Sequence, residues 1–202
     1  MLRFQQLANK IMKVKHCYFI GLISIMGNYA CKNESLLQQQ KDYNRFGIDT
    51  SFLQRSDTNY VEGFQNGKLV TGRTTYLKPE PDDKNTPYPI LRLLMPYDEQ
   101  KHKMTNIGFE LKKVENQVIA GKQLYGVGFS YDFGCNGVSY ATNPKKDSTG
   151  FIFIHVDNKR NLLQGYINAT FWCKDPKSIE KISYKLPDSV VIKNLKFSTI
   201  LK

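Results

Sequence analysis

Two histidines are the side chains in the body of this chain best suited to proton transfer near neutral pH. His102 lies in a charged segment and is expected to be solvated, whereas His155 lies in the apolar segment Phe151–Val156 and is expected to be a hydrogen-bonded core or edge residue. A hydrolytic triad needs such a base beside a nucleophile, and the sequence contains no G-x-S-x-G nucleophile elbow. We therefore predict that the chain is not an enzyme.

The sequence also lacks the usual spacings for metals and cofactors. Gly126 and Gly128 lack the third glycine of a dinucleotide fingerprint and are interpreted as strand bends or bulges. Asp82 and Asp83 lack the alternating oxygen ligands of a calcium loop. No CxxC pair is present that would indicate zinc. We predict neither a metal nor a cofactor.

The charge favours an acidic partner. The formal net charge is +11, and residues 1–31 contribute four basic residues and no acid, so the remainder has 25 basic and 18 acidic residues and a net charge of +7. Such a surface attracts acidic proteins or anionic lipid head groups. We take four loop lysines as candidate partner-binding residues; the alternative is a solvated surface. They are Lys145, Lys146, Lys177 and Lys181.

Residues 12–31 have the organisation of an export signal. Lys13 and Lys15 precede an apolar stretch from Cys17 to Gly27, which is shorter than the roughly 20 residues of a membrane span. The small residue Ala30 and then Cys31 follow.

This order resembles the lipobox signal of bacterial lipoproteins, which implies that Cys31 carries a lipid and that the lipid contacts the membrane. The implied location is the bacterial cell envelope, on the periplasmic side or at the outer-membrane surface. The alternative is ordinary cleavage and secretion. Either address argues against a nucleic-acid partner.

Cysteine parity agrees with an oxidising compartment. Of four cysteines, Cys17 lies in the signal and Cys31 would carry the lipid, which leaves Cys135 and Cys173. We predict a disulfide between them, which would contribute about 4 kcal/mol in the chain-entropy model. The alternative is two independent buried thiols.

The rest of the chain indicates a polar tether over residues 32–56, with one helical turn at most, and an all-β domain over residues 57–202. From Tyr60 onward apolar residues alternate with polar ones, and Asn66-Gly67 predicts a tight hairpin turn. Gly165 is a possible bulge. The proline-rich segment Lys78–Pro89 predicts a long exposed loop. Seven to ten short strands predict a single antiparallel β-sandwich or small barrel.

Three strands in the C-terminal half carry a second resemblance. They are Gly150-Phe-Ile-Phe-Ile-His-Val-Asp157, Leu163-Gln-Gly-Tyr-Ile-Asn-Ala-Thr-Phe171 and Val190-Val-Ile-Lys-Asn-Leu-Lys-Phe197. This pattern resembles an uncharacterised family of small β-sandwich envelope lipoproteins. The resemblance implies a fold and an address, and no activity.

These observations favour a binding module, because loops on a rigid β-domain can vary without disturbing its core. One version is an immunity-type neutraliser of a periplasmic toxin, and another is a surface or assembly accessory protein. The alternatives are an envelope hydrolase and an apolar-ligand carrier of the lipocalin type. The structure can distinguish these functions. A packed interior favours a binding module, a cleft with convergent polar groups favours a hydrolase, and an open apolar cavity favours a carrier.

Overall fold

The computed structural model describes residues 40–79, 87–98, 103–124, 127–132, 137–143, 145–175 and 186–201. The chain divides into two compact units, Met1–Ile48 and Asp49–Lys202. In the first unit residues 40–46 are helical. Gly47, with a φ of 60°, ends this helix, and its N–H donates to the carbonyl of Asn44. No helix in these ranges is long and apolar enough to cross a membrane.

The second unit is antiparallel β-structure, which confirms the predicted all-β fold. Its described part contains ten strands: β1 Tyr60–Gln65, β2 Lys68–Leu77, β3 Ile90–Asp98, β4 Lys103–Glu110, β5 Gln117–Ala120, β6 Gly128–Asp132, β7 Gly137–Thr142, β8 Phe151–Asp157, β9 Leu162–Cys173 and β10 Ser189–Ile200. Two 3₁₀ turns, Thr50–Gln54 and Gly121–Leu124, accompany them.

Eight of these strands close into a barrel in the order β10-β1-β2-β3-β4-β6-β7-β9, and β9 pairs again with β10. Closure removes the sheet edges that would otherwise pair with other chains. One edge of β9 is shared: residues 162–168 pair with β8, and residues 171–173 pair with β7. The sheet therefore continues outside the barrel as β8 and then β5, which pairs with β8.

Alternation of side chains separates the barrel interior from its outer surface. Ile107 and Phe109 of β4 are buried, whereas Asn106, Gly108 and Glu110 on the same strand are more accessible. This is the period of two that the sequence predicts for a half-buried strand. Phe129 and Tyr131 of β6 follow the same rule.

Aromatic rings fill the interior. Phe129 packs against Tyr131, Tyr140 and Phe171 with ring centroids 5.2 to 5.7 Å apart. The buried Gln65 donates to the Tyr131 hydroxyl at 3.3 Å and accepts from Thr105 at 3.4 Å. The side chains of Gln65, Thr105 and Tyr131 are thus paired with one another inside the barrel.

Asn66 and Gly67 have φ angles of 51° and 77°, which confirms the predicted turn between β1 and β2. The predicted bulge at Gly165 is wrong, because Gly165 pairs in regular register with Ile154 and Phe197. A Cβ there would lie 2.5 Å from Cε1 of Phe197 and 2.6 Å from the Phe153 carbonyl oxygen. The absence of a side chain at Gly165 therefore makes room for the buried ring of Phe197.

Residues 49–56, which the sequence suggested as the end of a tether, belong to the compact β-unit. Phe52 is 1% exposed, and its carbonyl accepts from the Gln164 amide at 3.3 Å. The guanidinium of Arg160 donates to the carbonyls of Leu53 at 2.7 Å and Arg55 at 3.1 Å. These bonds hold the Thr50–Gln54 turn against the outer face of β9.

Candidate binding groove

A groove of about 750 Å³ lies on the outer surface of the barrel wall formed by β3, β4, β6 and β7. Its size is within the usual range of small-molecule and peptide sites. Its lining combines apolar residues with side chains that carry amide, hydroxyl or charged groups. These polar and charged residues are Arg92, Asn106, Glu110, Lys112, Gln117, Gln123, Ser130, Ser139 and Lys174.

The register between strands that are distant in sequence assembles this lining. Arg92 of β3 pairs with Gly108 of β4, which in turn pairs with Gly128 of β6. In the adjacent row Asn106 pairs with Ser130, and Ser130 pairs with Ser139 of β7. Since paired residues project from the same face of a sheet, these residues share the outer face.

The floor of the groove is the facing glycine pair Gly108 and Gly128. Neither has a positive φ. A Cβ on Gly108 would meet no atom within 4 Å, and one on Gly128 would meet only carbonyl oxygens 3.9 and 4.0 Å away. Glycine within a strand costs about 0.5–1 kcal/mol relative to alanine. The fold does not require these two glycines, and their effect is to leave bare backbone at the bottom of the groove.

The border of the groove comes from β5 and the turn that follows it. Gln117 and Ile119 of β5 and Gln123 of the Gly121–Leu124 turn line this side. The Gln117 amide donates to the Lys113 carbonyl at 2.7 Å, which holds the segment between β4 and β5. β5 is thus positioned beside the wall by its pairing with β8.

Positive charge predominates in the lining. Arg92, Lys112 and Lys174 are exposed, and Glu110 is the one acidic side chain among the lining residues. Within the described ranges, none of these four side chains forms an ion pair or a hydrogen bond. Free cations of this kind are available to a ligand that carries carboxylates or phosphates.

Asn106 adds an unused acceptor to the same place. Its Oδ1 is buried and has no hydrogen-bond partner in the described part of the protein. Buried polar atoms in native proteins are usually paired, so an unpaired one suggests a missing partner such as a ligand donor. The groove can therefore both donate and accept hydrogen bonds while neutralising negative charge.

Of the four lysines predicted to bind a partner, two lie among the described residues, and neither lines the groove. Lys145 and Lys146 are exposed and do not line it, and Lys146 Nζ lies 4.6 Å from the ring centroid of Trp172. Lys177 and Lys181 lie outside the described residues, as does most of the proline-rich loop. Lys174, three residues before Lys177 in the sequence, does line the groove.

The predicted modification sites are only partly described. Cys31 and Cys135 lie outside the described residues. Cys173 is half-buried and forms no disulfide with any of the described residues. The Cys135–Cys173 bridge and the lipid on Cys31 stay predictions.

His155 lies away from the groove, on the outer face of β8 opposite Gln164. It stacks on Phe153 with ring centroids 6.5 Å apart. Its Nδ1 is buried without a partner among the described residues, so the expected hydrogen bond at this atom is not found. Burial lowers the pKa of His155; the carboxylate of Asp157 opposes this effect, and Arg160 adds to it.

The described residues contain no group of three or more His, Cys, Asp or Glu that could hold a metal. The chain matches no known protein family, no curated protein sequence and no solved structure at a significant level. Its function therefore has to be argued from its own residues.

Sequence reasoning missed the glycine pair as a site. Gly128 was interpreted as a bend or bulge, but it pairs in regular register with both Gly108 and Ala141. Arg92, the one charge in an apolar strand, was the signal that could have led to the groove.

Proposed function

We propose that this protein is a binding module of the bacterial envelope that acts stoichiometrically and holds its ligand in the groove on the β3-β4-β6-β7 wall. The observation that carries the proposal is the facing pair Gly108 and Gly128 beneath cations that pair with none of the described residues. A β-branched residue at either position would make the strand more stable than glycine does. Glycine within a strand marks places where a ligand or another backbone approaches closely.

The packed interior favours this function over that of a carrier. A lipocalin-type carrier needs a hollow barrel, whereas Phe129, Tyr140 and Phe171 are 0 to 1% exposed and contact one another inside this one. The hydrolase alternative has less support, because His155, the histidine described by the structure, does not line the groove.

The envelope address rests on the signal-like residues 12–31 and on the lipobox resemblance at Cys31. A lipid there would tether the domain through the polar residues that follow. Metabolic labelling with a fatty-acid analogue should mark the wild-type chain and leave Cys31→Ser unmarked. Equal labelling of both chains would contradict the lipid anchor without affecting the groove.

A fragment screen read by NMR tests the groove. A library of carboxylate, sugar-like and dipeptide fragments is added to the ¹⁵N-labelled full chain, and the Gly108 and Gly128 amide signals are followed. We expect carboxylate-bearing fragments to shift these signals. In Gly108→Val the same fragments should no longer bind, because the new side chain fills the floor while its Cβ meets no atom.

The stability of the Gly108→Val chain provides the control. Its melting temperature should equal or exceed that of the wild type, since valine suits a strand better than glycine. Fragments that cluster elsewhere on the protein, or that bind Gly108→Val as well as the wild type, would refute the groove as the binding site.

A further inference from the structure

We infer that the groove takes an extended acidic peptide, which adds as a strand to the free edge of β5 and points alternate carboxylates at the cations of the groove. This inference rests on the proposed function and names the ligand of the same site. It follows from the direction of the β5 backbone groups, the shared pleat of neighbouring strands, and the charge of the lining.

One hydrogen bond shows which residues of β8 point their N–H and C=O groups toward β5. The N–H of Val156 donates to the Asn116 side chain at 2.6 Å, so Val156 directs its backbone groups toward the β5 side. Backbone groups of successive residues in an antiparallel strand point alternately to the two neighbouring strands. Ile154 and Ile152 therefore also point to β5. The same alternation holds on β9. The N–H of Thr170 donates to the Asp147 side chain, and it therefore points away from β10, as the alternation requires of the even-numbered residues of β9.

The free edge of β5 follows from this alternation. Gln117 and Ile119 pair with Ile154 and Ile152, so their backbone groups complete the ladder with β8. Val118 and Ala120 must then direct their N–H and C=O groups away from β8. Among the described residues β5 pairs with no other strand. The N–H groups of Val118 and Ala120 and the C=O of Val118 are thus available for strand addition, the main-chain mode of peptide recognition. The C=O of Ala120 directly precedes the Gly121–Leu124 turn and accepts its first bond.

The shared pleat fixes where the peptide side chains would point. Residues that pair across a sheet project to the same face. Gln117 and Ile119 line the groove, so the peptide residues opposite them project over the groove as well. These positions are two residues apart in the peptide.

The charges of the lining specify what those side chains must be. Arg92, Lys112 and Lys174 are exposed and unpaired in the described structure, against the single acid Glu110. Acidic residues at alternate positions would meet this charge. A polysaccharide acid would use the same cations. The described lining offers it no exposed aromatic ring, since Phe109, Phe129 and Tyr140 are 0 to 4% exposed.

The test begins with a display library of random dodecapeptides selected on the immobilised full chain. We expect the selected peptides to carry Asp or Glu at two positions that are two residues apart, which matches the spacing of Gln117 and Ile119. Binding is then measured by fluorescence anisotropy with the tightest peptide. Val118→Pro removes one outward N–H without removing a bond to β8, and we expect at least a tenfold loss of affinity. Ala120→Pro provides a second variant of the same kind.

Charge variants test the electrostatic half of the inference. Lys112→Glu should weaken binding at least tenfold. Lys113→Glu is the matched control, because Lys113 is the neighbouring residue, its side chain is 74% exposed, and it does not line the groove. The affinity of the control should stay within a factor of about two of the wild type.

Three results would overturn the inference. One is selected peptides without alternating acids, and another is equal binding by Val118→Pro, Ala120→Pro and the wild type. The third is no peptide enrichment while polygalacturonate shifts the Gly108 and Gly128 amides, in which case the groove remains a binding site and its ligand is a polysaccharide acid. If neither peptides nor polygalacturonate affect those amides, the proposed function fails together with the inference.

Discussion

Gly165→Ala should destabilise the protein strongly, although it adds a single methyl group. The new Cβ would lie 2.5 Å from Cε1 of Phe197 and 2.6 Å from the Phe153 carbonyl oxygen. Carbon atoms pack at about 3.5–4.0 Å, so the ring must move by about 1 Å or more. Phe197 is fully buried and packs edge-on against Phe109 with centroids 6.4 Å apart. The Phe153 carbonyl is part of the paired strands β8 and β9, so it cannot move without moving the backbone of the sheet.

Overpacking of a close-packed core costs about 1–3 kcal/mol. We expect the upper end of that range, since one of the two obstacles is backbone. For a domain of this size each kcal/mol lowers the melting temperature by about 2–4 °C. Gly165→Ala should therefore melt about 6–12 °C below the wild type in a thermal unfolding experiment followed by circular dichroism.

Gly108→Ala is the matched comparison, because a Cβ at Gly108 would meet no atom within 4 Å. It should be neutral or gain up to about 1 kcal/mol. The double variant Gly165→Ala/Phe197→Leu removes the clashing ring and should lose less stability than the two single changes added together. If Gly165→Ala were as stable as Gly108→Ala, the packing account of Gly165 would be wrong.

Three further predictions concern other parts of the unit. Burial lowers the pKa of His155 below the ordinary histidine value of 6.5, so the unfolded chain binds a proton at this imidazole more readily than the folded chain does. The free energy of unfolding should fall as the pH drops below about 6.5, and less so in His155→Gln; identical pH profiles would contradict this. Arg160→Ala removes the donors to the Leu53 and Arg55 carbonyls and should cost about 1–3 kcal/mol in urea unfolding. Lys113→Ala, which removes an exposed pair at 3.6 Å, should cost nearly nothing, and equal losses would argue against the role of Arg160. Non-reducing peptide mapping should recover one linked peptide containing Cys135 and Cys173, and two alkylated thiols in protein isolated without reductant would disprove the bridge.

Most of the strands could be predicted from local sequence. Alternation over Ile107 and Phe109, the apolar segment Phe151–Val156 and the Asn66-Gly67 turn each depend on a few consecutive residues. Closure into a barrel could not be predicted in this way. It depends on β9 sharing one edge between β7 and β8 and on Phe197 fitting over Gly165.

The groove was hidden for the same reason. Gly108 and Gly128 are ordinary strand glycines in the sequence, and they face each other only because β4 pairs with β6 after the chain has passed through β5. Lys145 and Lys146 were candidate partner-binding residues from the sequence, but it is Lys174 that lines the groove. The register between strands decides which cations lie around Gly108 and Gly128, and local sequence does not reveal that register.

The affinity of Gly128→Val for the tightest selected peptide, compared with that of the wild type, tests the central claim most directly. The account predicts at least a tenfold loss of affinity in fluorescence anisotropy, with a melting temperature equal to or above that of the wild type. Unchanged affinity with valine on the floor of the groove would contradict it.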